Sequence, residues 1–197
     1  MTLLGNGSQP PHLEGRLFYD SENHTITMYN DEPDISLQMG LEQYIRVRNK
    51  TGATIANGSV VRINGSHNAA SPSITKAIAN SESTSDVAGM ATHSIENNSF
   101  GYVTRYGLVR DVNTSGIAEG AEIFLSATTS GDFTATKPGI PYYSTSVGRV
   151  ISSHQTNGSI LIDLGKTKLS GGDLKSETVV TPPALVSAIY VTNGTPL

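Results

Sequence analysis

GRLFYDSENHTITMYNDEPDISLQMGLEQYIRVR, residues 15–48, is the stretch whose pattern decides the fold class. Arg16–Tyr19 and Thr25–Tyr29 are β-rich runs on either side of the turn cluster Asp20-Ser21-Glu22-Asn23, a pattern that predicts a hairpin. Successive side chains of a strand point to opposite faces, so Ile26 and Met28 share one face and Thr25, Thr27 and Tyr29 the other. Asn30-Asp31-Glu32-Pro33-Asp34 breaks the chain, after which Ile35 to Met39 alternates again. From Tyr44 to Arg48 the alternation is strict: Tyr44, Arg46 and Arg48 lie on one face, Ile45 and Val47 on the other. A period of two repeated through successive runs is that of half-buried strands, not of a helix.

The same reading extends toward the C-terminus. Strands are predicted at Val60 to Ile63, Ile74 to Ile78, Asp86 to Thr92, Phe100 to Val112, Glu122 to Leu125, Ser146 to Ile151 and Ser159 to Leu164, with Thr129 to Asp132 as a hairpin turn. Gly101 and Gly107 are expected to bend the long run at 100–112. Five Asn-Gly pairs begin at Asn6, Asn57, Asn64, Asn157 and Asn193, and are read as two-residue hairpin turns. Residues 1–13, with Pro10-Pro11, read as an N-terminal arm. Residues 14–64 read as an N-terminal hairpin with further strands, and 65–164 as a barrel core. Residues 165–197 read as a polar linker followed by an extended C-terminal arm, in which Pro182-Pro183 bars a central strand position. The expectation is an all-β chain with a small β-barrel or sandwich core, an N-terminal hairpin and extended terminal arms.

Composition narrows the function. Charged residues are 15% of the 197, net charge is -4, and no Lys/Arg-rich run occurs, which argues against nucleic-acid binding. No stretch approaches the roughly 18 apolar residues of a membrane span, and the N-terminus lacks the basic and apolar regions of a signal peptide. Cysteine is absent, so disulfides, thiol catalysis and thiolate metal sites are excluded. The five histidines are isolated in sequence, and the acidic cluster Asp20, Glu22, Asp31, Glu32 and Asp34 lacks a calcium-loop frame. Gly165-Lys166-Thr167 lacks the upstream glycine of a phosphate loop, whose place is taken by Ile160. No enzyme activity, cofactor, metal or small-molecule substrate is expected.

Two motif sets carry a family resemblance. Residues 14–62 combine an EG-L-YD start, a YNDEPD turn, an alternating strand and a final RNKTGATIANGSVV stretch. They resemble a segment of structural proteins of tailed bacteriophages, among them capsid decoration, head-fibre and tail-fibre proteins. Residues 84–164, with glycines 101, 107, 120 and 148, are similar in order to the small barrel of capsid decoration proteins. The resemblance implies a non-enzymatic virion protein on the outer capsid surface. It would bridge and cement major capsid subunits, with copies of itself as a homotrimer. The alternative it implies is a head-fibre or tail-fibre anchor module involved in host attachment. Subunit or capsid contacts are expected at Leu17, Phe18, Tyr19, Met28 and Tyr29, where the chain's few aromatics gather, and at Val186, Ile189 and Tyr190 in the apolar tail.

Overall fold

A computed structural model describes residues 9–164 and Lys168–Leu169. Strands make up 47% of the structure against 3% helix, so the all-β class holds. The chain opens with β1 (Leu17–Asp20), β2 (Thr25–Tyr29) and β3 (Ser36–Gln38), an antiparallel three-stranded sheet of its own. Asp20 fixes its first turn: its carboxylate accepts the backbone N–H groups of Glu22 (2.9 Å) and Asn23 (3.1 Å) and the Asn23 side-chain amide (2.9 Å).

The body contains β4 (Gln43–Asn49), β5 (Val60–His67), β6 (Ser71–Lys76), β7 (Gly89–Ala91), β8 (Phe100–Val112), β9 (Glu122–Leu125), β10 (Phe133–Thr134), β12 (Ser146–Ser152) and β13 (Gly158–Asp163). They form a nine-stranded sheet in the order β10-β9-β12-β13-β8-β4-β6-β5-β7, and a further β7–β8 pairing closes β8-β4-β6-β5-β7 into a ring. The β4–β6 pair is parallel. β8 serves both halves: Phe100 to Thr104 pair within the ring, and Tyr106 to Val112 pair with β13.

Two hydrophobic cores result. The ring encloses Val47, Ile55, Val61, Ile74, Ala91, Ile95 and Val103. A second core gathers Val60, Ala77, Met90, Val109, Ile123, Leu125, Val147, Val150, Ile160 and Ile162. Val60 and Val61, like Met90 and Ala91, are neighbours that enter different cores. Because strand side chains alternate, β5 and β7 act as a common wall. The far edge is tied back by Val60 N–H to Gly131 O (2.8 Å), Gly131 N–H to Ala77 O (2.7 Å) and Ala79 N–H to Ser126 O (2.9 Å). Each fully buried Val, Leu or Ile here contributes about 1.5–3 kcal/mol relative to exposure.

Several expectations are corrected. Asn64-Gly65 is no hairpin turn: β5 runs on through it with a register shift, and the turn falls at Asn68-Ala69, both with positive φ. Asn57-Gly58 makes a turn outside a hairpin, with Gly58 at φ 77°, and Asn157-Gly158 leads from a longer loop into β13. The pairs at Asn6 and Asn193 lie outside the described residues. The division read at residue 64 passes through β5, and β4 belongs with the body. A short helix, α1 (Glu82–Ser85), and a two-residue pairing of β11 (Tyr143–Ser144) with β14 (Lys168–Leu169) were not read from the sequence; β14 lies in the stretch read as linker.

Candidate functional site

The register of the N-terminal sheet sorts its side chains. Leu17, Met28 and Leu37 form one row across the three strands; Tyr19 and Ile26 form the next, which Met39 extends through its N–H to Ile26 O (2.9 Å). All six are apolar or aromatic and point to one side. Leu17, Tyr19 and Met39 are exposed, and Ile26, Met28 and Leu37 are partly so. The opposite side carries Phe18, Asp20, Thr27, Tyr29 and Gln38, all buried. Phe18 packs on Tyr29 at 4.9 Å between ring centroids, His12 lies 5.0 Å from Tyr29 on another side, and the Tyr29 hydroxyl donates to Pro10 O at 2.8 Å.

The expected contact set therefore divides. Leu17, Tyr19 and Met28 lie on the outward face, whereas Phe18 (2% exposed) and Tyr29 (6%) are packed inside the chain. Val186, Ile189 and Tyr190 lie outside the described residues. Ile26, Leu37 and Met39 join the face without having been singled out; the signal was their shared parity with Met28 across the sheet.

Polar contacts fix this sheet to the body. Asp31 accepts from Arg46 Nη2 at 2.7 Å and from the Tyr102 hydroxyl at 2.5 Å. These partners, Tyr102 first, hold the Asp31 carboxyl below its usual range; burial and Asp31 push the Tyr102 hydroxyl up to about 12. Glu42, buried, accepts from the Tyr44 hydroxyl (2.7 Å), the Gln38 backbone (3.3 Å) and Arg110 Nη1 (3.3 Å). Burial and the Glu42 charge raise the Tyr44 hydroxyl far above its ordinary value, so it stays a donor. Gly107, at φ 124°, makes room for this carboxylate: a Cβ there would sit 2.7 Å from Glu42 Cγ. Between sheet and body lies a polar cleft of about 610 Å³, with Asn23, Asp34, Asn57, His93, Arg110 and Asp111 in its walls.

His93 accepts the Tyr102 N–H on Nε2 at 3.0 Å and so is neutral. Burial lowers its pKa despite the nearby carboxylates of Glu32, Asp34 and Asp31. A base whose folded value lies below its unfolded one loses stability as pH falls from about 6.5 toward the folded value, because the unfolded chain takes the proton first. The melting temperature is expected to drop between pH 7 and 5, and His93→Gln, which keeps an acceptor, is expected to flatten that slope. An equal slope in the variant would assign the effect elsewhere.

Among the described residues there is no cluster of three or more His, Asp or Glu side chains able to hold a metal ion, and no helix long and apolar enough to cross a membrane. No protein-family model matches the chain, and no curated protein matches it.

Proposed function

We propose that the chain is a non-enzymatic structural protein of a tailed-bacteriophage particle. It decorates the outer capsid surface and stabilises it by bridging major capsid subunits, as a homotrimer. The observation that carries the contact surface is the outward face of the N-terminal sheet: two adjacent rows of apolar side chains on a rigid, register-fixed platform. Contiguous apolar faces of this kind mark surfaces that another protein covers. The virion setting rests on the motifs in residues 14–62 and 84–164, and the double-core body supplies the inert scaffold that cementing requires.

The test uses purified particles. The protein is expected at hundreds of copies per particle by gel densitometry; a few dozen or fewer would favour the fibre-anchor reading. Leu17→Ser combined with Met28→Ser is expected to weaken particle binding at least tenfold, since interface anchors cost about 2 kcal/mol or more when truncated. The melting temperature should stay within about 2 °C, because both side chains are already partly in water. Unchanged binding by the double variant would remove this face from the contact.

A further inference from the structure

The outer side of the ring carries a cation cluster that the proposed contact face does not use. Arg48 pairs with Phe100 on β8 and with Ser73 on β6; Arg46 pairs with Tyr102, Arg62 on β5 with Thr75, and His67 with Ser71. Paired residues share a side, and the alternating neighbours Val47, Ile74 and Val61 point into the core. Arg46, Arg48, Arg62, His67 and Phe100 thus all face outward. The Phe100 ring lies under both the Arg46 and Arg48 guanidinium groups, at 4.1 and 4.7 Å, and meets the His67 ring edge-on at 5.8 Å.

Asp31 partners Arg46. Among the described residues no carboxylate pairs with Arg48 or Arg62, and the Nε of each is shut off from solvent without an acceptor. His67 Nδ1 is in the same condition. Asn68 Nδ2 lies 3.3 Å from His67 Nε2, which makes Nε2 the acceptor and leaves the proton on Nδ1. The side chains of Arg48 and Arg62 are only half-buried, and with no carboxylate partner among the described residues their guanidinium ends can take one. Phe100 holds the Arg46 and Arg48 guanidinium groups over its ring, and the planar fork of arginine matches a carboxylate in two parallel hydrogen bonds.

We infer that this cluster binds carboxylate side chains of an acidic polypeptide segment. A nucleic-acid strand is the poorer match: backbone recognition takes a stripe of cations, and the chain carries net charge -4.

The test needs no particle, so its failure leaves the capsid reading standing. A capped tetraglutamate peptide is titrated into the labelled protein at low salt. The Nε–H resonances of Arg48 and Arg62 are expected to shift saturably. Affinity should fall at least tenfold in Arg48→Gln and in Arg62→Gln, each first checked for an unchanged backbone amide spectrum. Arg62→Lys, which keeps the charge and loses the fork, is expected to recover only part of the binding. No shift of either resonance, an affinity equal to the parent's in both glutamine variants, or tighter binding of a thymidine dodecamer than of the peptide would each overturn the inference.

Discussion

Gly148→Ala is expected to destabilise the body by about 3 kcal/mol, near the upper end of what overpacking costs. In a chain of this size that lowers the melting temperature by about 6–12 °C. Gly148 sits mid-sheet on β12, paired with Ile162 on β13 and Ile123 on β9. A Cβ at this position would come within 2.1 Å of Leu161 O and 3.1 Å of Ile162 Cα. Those are backbone atoms of the next strand and cannot rotate aside, so the sheet itself must part. Gly139→Ala is the control, since a Cβ there meets nothing within 4 Å; it should stay within about 0.5 kcal/mol of the parent. Urea denaturation of the three proteins decides the matter, and a Gly148→Ala midpoint equal to the parent's would refute the packing account.

Phe18→Ala is expected to cost about 3–5 kcal/mol, the usual range for a buried phenylalanine. The loss should be local. Phe18 supports Tyr29 inside the three-stranded sheet, whereas both cores of the body are built from other residues. Hydrogen exchange should therefore speed up at β1, β2 and β3 and stay slow in β8 and β13. Intact protection of the small sheet together with lost particle binding would instead make Phe18 a contact residue.

That second variant marks where sequence and structure part. Alternation along Thr25–Tyr29 placed Ile26 and Met28 on one face and Tyr29 on the other, as the structure has it. It did not say which face the body covers, because both carry large apolar side chains: Leu17 and Tyr19 on one, Phe18 and Tyr29 on the other. Among the described residues, contacts of Asp31 and Glu42 with Arg46, Tyr44, Tyr102 and Arg110 help to set the sheet's orientation, and they span up to 71 residues. Strands with strong local signals, such as Phe100–Val112 and Glu122–Leu125, were legible to the residue. The ring closure through β7 and the parallel β4–β6 pair were not, since nothing local encodes a partner. Asn-Gly permits a tight turn without requiring one; at Asn64-Gly65 pairing with β6 outweighed it. The cation cluster was half visible, as Arg46 and Arg48 on one face, but Phe100, Arg62 and His67 arrive from strands that sequence reading had no means to align.

The continuity of β8 through both cores has a mechanical consequence. A force that separates the two cores along this strand must slide it lengthwise past β4 and β7 at one end and past β13 at the other. The hydrogen bonds of each ladder are then loaded together, in shear, and must yield in concert. A force that lifts β10, two residues long and paired among the described residues with β9 alone, opens its bonds one after another. The protein is therefore stiff along one axis and peels easily at one edge. A pulling experiment with one handle at Phe100 of β8 and the other at Gly158 of β13 should record a much higher rupture force than one with handles at β10 and β9.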